Sequence, residues 1–222
     1  MQMSKSQTKI ITQEARYGVQ LDYVIFPIDF RDLRRVLAKN GYELSPVRNI
    51  PSPPIRISFV GDLARKGETI ISVETESGLI DVVGRSLQEV KDAFEELVSI
   101  IRSELGINLH ANIRFYSCVV HYKINTGRTP RNEIAKTENP NYIARFSQVL
   151  GEDVSLFSVR LLPRGTSPNN ENWFDITIEP DVLDETLYHV GVTFRNLDKE
   201  KTERFVRNLE NSILRLIEVI EA

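Results

Sequence analysis

The chain has few of the residues that carry out most covalent and metal chemistry. Its 222 residues include one cysteine, Cys118, and three histidines, His110, His121 and His189. One cysteine excludes an intramolecular disulfide framework. No apolar run approaches the ~20 residues of a membrane-spanning helix. The opening segment, Met1 to Lys9, lacks the hydrophobic stretch of a secretory signal. The expectation is a cytoplasmic protein with no membrane partner. Neither Gly-x-Gly-x-x-Gly, a phosphate-binding loop ending in Lys-Ser/Thr, nor Gly-x-Ser-x-Gly occurs, so no cofactor is expected and no nucleophile elbow. An excess of positive charge is missing too. Lys and Arg number 28 against 31 Asp and Glu, for a net charge of −3. That balance does not favour constitutive nucleic-acid binding, although a local basic face would survive such averaging.

What is present is an ordinary globular composition, 41% hydrophobic and 27% charged. Two stretches stand out. Leu87, Val90, Phe94, Leu97 and Ile101 recur at steps of three and four, and so do Val206, Leu209, Ile213, Leu216 and Ile220. Each set lines one face of a long helix. Ser86, with Glu89 three residues on, and Asp198 supply their N-caps.

The intervening segments read in order. Residues 1–12 are polar and expected as a flexible tail, or as a strand that docks late, and Gly18 to Phe26 alternates as a strand. A short helix follows from Asp29 to Asn40-Gly41, then a Pro-rich connection over Ser45 to Pro54. Strands are predicted at Ile55–Val60, Thr69–Thr75 and Leu79–Val83, with Gly61 to Gly67 and Glu76-Ser77-Gly78 as turns. Ile113 to Ile124 is the strongest strand signal, rich in β-branched and aromatic residues. Asn125 to Asn139 reads as a long polar connection, followed by a helix from Pro140 to Leu150 closed by Gly151. Strands at Ser155–Leu161, Trp173–Ile178 and Thr186–Phe194 complete the list, with Arg164 to Asn172 as a loop.

Both halves therefore read β-α-β-β-β-α. The fold class expected is α+β, a duplicated unit forming a curved antiparallel sheet with two long helices on one face. Residues 13–108 and 109–222 are the two repeats of one domain. An amphipathic helix per half covers one face of each sheet. Pairing the first strands of the two halves would join them into one. This element order resembles the saddle of the TATA-box-binding protein, and that of a sporadically distributed family of uncharacterised prokaryotic proteins. The resemblance spans roughly residues 15–222 and rests on element order. It implies a concave face open to a partner; DNA bending would require apolar wedges and a basic face, and no phenylalanine here matches a wedge position.

Candidate chemistry is sparse. Cys118 and His121 lie three apart on a strand, so they point to opposite faces and cannot share a metal. His189 and His110 are followed at two residues by Gly191 and Asn112 rather than by a hydroxyl, which excludes the two-histidine phosphoesterase pattern. Glu179, Asp181, Asp184 and Glu185 read as a solvated acidic turn around Pro180 rather than a cation site. Asp81 and Asp175 sit mid-strand and become useful acids only if buried together.

The basic residues are the stronger binding candidates. Arg31, Arg34 and Arg35 lie on the first short helix, with Arg31 and Arg35 on one face. Lys123, Arg128, Arg131 and Lys136 populate the long connection, and Arg160 and Arg164 follow; together they would hold phosphates. The function expected is a non-enzymatic binding or interaction protein using a concave sheet face, its partner another protein or a second copy of itself. The alternatives are nucleic-acid binding through the saddle, and an enzyme or carrier with a small-molecule pocket between sheet and helices.

Overall fold

Alternating burial in the two longest strands lays out the centre of the molecule. The computed structural model describes residues 8–22, 27–46 and 60–222. Within them β1 (Lys9–Leu21) and β6 (Ile113–Asn125), 13 residues each, pair antiparallel along their length. In β6, Tyr116, Cys118, Val120, Tyr122 and Ile124 are buried, while Ser117, Val119, His121 and Lys123 between them are half-exposed. Successive side chains leave a strand on opposite sides. One face of the pair is therefore core and the other meets solvent.

The sheet grows outward from this seam. On one side β5 (Leu79–Gly84) pairs with β1, followed by β4 (Thr69–Glu74), β3 (Val60–Lys66) and β2 (Glu43–Leu44). On the other, β9 (Tyr188–Asn196) pairs with β6, followed by β8 (Trp173–Pro180) and β7 (Val159–Leu161). Among the described residues the order β2-β3-β4-β5-β1-β6-β9-β8-β7 makes one nine-stranded sheet, antiparallel at every pairing. Each half of the chain supplies one flank. The edge strands are only two and three residues long, leaving little free backbone for another strand to join.

Among the described residues five α-helices accompany the sheet: α1 (Phe30–Lys39), α2 (Leu87–Leu105), α3 (Pro130–Lys136), α4 (Pro140–Leu150) and α5 (Lys199–Ile220). The expected caps form. Asp29, Ser86 and Asp198 each accept backbone N–H bonds from the first turn of α1, α2 and α5, satisfying donors that a helix start leaves free. The apolar stripe of α2 is buried from Leu87 to Ile101, and Phe94 meets Tyr17 of β1 edge-on at 5.4 Å. In α5 the buried residues are Thr202, Leu209, Ile213, Ile217 and Ile220, with Val206 and Leu216 only partly covered. Phe205 of α5 stacks on Phe194 of β9 at 3.9 Å. Lys199 of α5 reaches Glu95 of α2 at 2.8 Å.

Several segments depart from expectation. Lys9 to Thr12, expected as tail, pair with β6, and the strand expected over Gly18 to Phe26 ends at Leu21. Residues 23–26, the strand expected at 55–59 and most of the Pro-rich connection lie outside the described residues. Gly61 to Gly67, expected as a turn, is β3; only Gly67, at φ 59°, turns the chain into β4. The Asn125 to Asn139 connection contains α3, which starts at Pro130, a residue suited to a helix's first position. The halves thus read β-α-β-β-β-β-α and β-α-α-β-β-β-α. α4 forms where predicted but buries none of its residues, and Tyr142, Phe146, Val149 and Leu150 form an exposed apolar stripe.

Candidate functional site

The half-exposed face of the sheet can be followed strand by strand through its register. Asp62, Ser72, Asp81, Gly18, Ser117, Arg195 and Trp173 are successive cross-strand partners on β3, β4, β5, β1, β6, β9 and β8. Directly paired residues share a face, so these seven form one row across the middle of the molecule. Acids occupy one end. A cation and an indole occupy the other.

A backbone irregularity brings in the next charges. The β1–β6 register shifts between Thr12 and Glu14, so Gln13 is an extra residue. Before the shift Thr12 pairs with the buried Tyr122; after it Glu14 pairs with His121 on the half-exposed face. Without that bulge Glu14 would point into the core, a re-aiming that bulges commonly perform. Glu14 accepts a bond from Arg16 Nε at 2.7 Å, while Arg16 Nη1 stands 3.8 Å from Asp81 Oδ2.

Gly18 fixes how closely β5 can approach. A Cβ at this position would lie 2.2 Å from the Ile80 carbonyl oxygen and 2.6 Å from Asp81 Cα. Only glycine allows this contact, which draws Asp81 in beside β1. The Asp81 side chain is 7% exposed, and its Oδ1 has no hydrogen-bond partner. Burial is the main cause that raises its pKa from 3.8 to about 6; Arg16 opposes the rise, and Glu14, Asp62 and Glu74 add to it. Asp81 lines a hollow of about 320 Å³ with Glu14, Arg16, Leu79, Val119 and His121. A second hollow of about 310 Å³ shares Leu79 and Ser117 with it and continues toward Gln20, Thr193 and Arg195.

Two further clusters flank the hollows. His121 Nδ1 lies 3.4 Å from His189 Nε2 with the rings stacked, and His189 Nδ1 lies 3.2 Å from Glu179 Oε1. Burial, then the neighbouring His189, holds His121 below the ordinary imidazole range, so the neutral ring is favoured. Arg195 is sandwiched between Phe115 at 5.2 Å and Trp173 at 4.8 Å and donates to the Pro168 carbonyl, an arrangement that suits a guanidinium.

Comparison with known proteins supplies no family. The chain matches no protein-family model, and no curated protein sequence is recognisably similar to it.

The sequence-derived candidates fall in several places. Arg31 and Arg35 sit on α1, where Arg35 pairs with Asp32 at 2.9 Å; Arg34 is bonded to the Ser45 carbonyl at 2.9 Å. Arg128 donates to the Glu221 carbonyl at 2.6 Å and pairs with Glu133, which Lys136 also binds at 2.6 Å. Arg131 lies on α3, Arg160 pairs with Asp175, and Arg164 lies in the loop after β7. Lys123 alone of these stands on the half-exposed face of β6, held by Asp181 at 3.0 Å.

The remaining candidates resolve into local structure. Cys118 is fully buried and its thiol is pushed up to about 12, while His121 is on the opposite face, as the strand period requires. Asp81 and Asp175 are not buried together, because β1, β6 and β9 stand between their strands. Asp181 and Asp184 cap their own turn through backbone N–H bonds. His110 Nδ1 lies 2.9 Å from the Tyr116 hydroxyl. Among the described residues no three His, Cys, Asp or Glu side chains gather as metal ligands, and no helix is long and apolar enough to cross a membrane. Sequence reasoning missed Glu14, Arg16 and Arg195. Their one visible signal is polarity at alternate positions of strands.

Proposed function

We propose that the chain is a duplicated saddle of the TATA-box-binding-protein type, and that it works as a non-enzymatic binding protein whose partner lies on the sheet face opposite α2 and α5. The register supports the architecture: Tyr17, Cys118 and Phe194 are aligned partners, and the first and last of them touch α2 and α5. Correspondence of the flanks, β5-β4-β3 about β1 and β9-β8-β7 about β6, supports the duplication.

One observation carries the functional reading. Asp81 is a carboxylate withdrawn from solvent, without a partner for Oδ1, at the wall of a hollow in the middle of that face. A buried polar group left unsatisfied costs stability, and such groups are retained where they meet a ligand. The nucleic-acid alternative gains no electrostatic support, since Asp62, Asp81, Glu14 and Glu74 crowd the same region as Arg16.

Ser117 lines both hollows, so Ser117→Trp fills the middle of the face. Protein purified gently from its own host should show, by native mass spectrometry, an added mass that Ser117→Trp lacks at unchanged melting temperature. Identical spectra for the two would overturn the reading.

A further inference from the structure

We propose that the Asp81 hollow is a binding site for an organic ammonium cation, with the Asp81 carboxylate as its counter-ion. This deepens, and rests on, the reading of the half-exposed face as the binding surface. The argument begins with charge. Among the described residues Arg16 is the cation beside Asp81, and its Nε is bonded to Glu14 at 2.7 Å while its Nη1 stays 3.8 Å from Asp81 Oδ2. Arg16 is thus neutralised by Glu14 first. The charged and titratable groups facing Asp81 are Glu14 and Arg16 from β1, Asp62 from β3, Glu74 from β4 and His121 from β6. With His121 neutral the surroundings hold an excess of negative charge, and an anion would add to it.

Geometry then narrows the cation. No three metal-ligating side chains gather here or elsewhere among the described residues, and a hard divalent ion wants several oxygens at once. Asp81 is a nearly buried carboxylate on the lining of the hollow, 7% exposed, and Arg16 comes no nearer to it than 3.8 Å. A single carboxylate behind apolar walls is the complement of an ammonium group on an alkyl stem. Leu79 and Val119 supply those walls, Gly18 leaves the floor bare, and about 320 Å³ is room for a few carbons. The amine is either a free alkylamine or the side chain of a partner's lysine; the chemistry at Asp81 is common to both.

Binding is tested by titration calorimetry on the full chain at pH 7.5. The probes are n-butylammonium chloride and Nα-acetyl-lysine methylamide, with magnesium chloride and sodium phosphate as controls. Saturable binding of either amine is expected, at least tenfold weaker in Asp81→Asn and several-fold weaker at pH 5, where Asp81 is mostly protonated. Whatever its affinity at pH 7.5, His121→Gln should keep the same relative loss between pH 7.5 and pH 5, which separates Asp81 from the neighbouring imidazole. Tighter binding of butylammonium points to a free amine as the natural ligand; tighter binding of the lysine derivative points to a protein side chain. The proposal is overturned if neither amine binds at millimolar concentration, if Asp81→Asn binds equally well, or if only magnesium or phosphate binds. Should the amines fail while Ser117→Trp still strips the native adduct, the binding face stands and the ammonium assignment alone falls. Failure of both removes the two together.

Discussion

Asp81 makes the fold's stability depend on pH in a direction opposite to that of a salt-bridged acid. Its pKa is raised in the folded state, to about 6 from 3.8. The sign follows from linkage. Well below pH 3.8 the group is protonated whether folded or unfolded and costs nothing. As pH rises through 6 the folded chain must hold a buried charge that the unfolded chain exposes freely. The side chain is 7% exposed, so solvent screens little of this, and the loss is on the order of 2–3 kcal/mol. Asp81→Asn should therefore unfold at a higher denaturant concentration than wild type at pH 8 and show a much smaller advantage at pH 4. Urea melts at the two pH values check this. A saturating ammonium ligand should narrow the gap at pH 8, because it neutralises the same carboxylate.

At the level of elements, the arginines divide by what they hold. Arg128 ties the loop before α3 to the end of α5 through the Glu221 carbonyl, and it shares Glu133, a nearly buried carboxylate, with Lys136. Arg128→Ala should lower stability by about 1 kcal/mol, the usual worth of a partly exposed charged bond. Arg131→Ala, on the exposed side of α3, should change it by under about 0.5 kcal/mol. Thermal melts of the two variants separate these outcomes.

Elements announced by local chemistry are legible in the sequence. Asp29, Ser86 and Asp198 precede apolar periodicity and do cap α1, α2 and α5, and Gly106 and Gly151 end their helices at positive φ. β3 hides because Val60 to Lys66 carries a glycine and alternates poorly, its extra residue at Leu63 putting two buried neighbours, Leu63 and Ala64, in sequence. α3 hides because Thr129 makes no side-chain cap and its seven residues are mostly polar. The site is less legible still. Asp81 can be singled out as an acid inside a strand, yet the bulge at Gln13 that turns Glu14 toward it has no compositional mark. Nor does the sequence show that Gly18 is where two strands press together.

For the whole molecule, the β1–β6 seam and the Lys199–Glu95 pair bind the two halves into one sheet. Phe94 and Leu209 are core residues on helices of different halves. Phe94→Ala and Leu209→Ala should each cost roughly 2–5 kcal/mol. By differential scanning calorimetry both should shift one shared transition; a second peak in either variant would show that the halves melt independently. The seam also bears on biosynthesis. A ribosome releases β1, β5 and α2 well before the residues from Ile113 onward that pair with the far side of β1. The nascent first half therefore carries an unpaired 13-residue strand edge while the remainder is translated. Such an edge is a template for mispairing, so slowing elongation before residue 125 should increase aggregation of the growing chain.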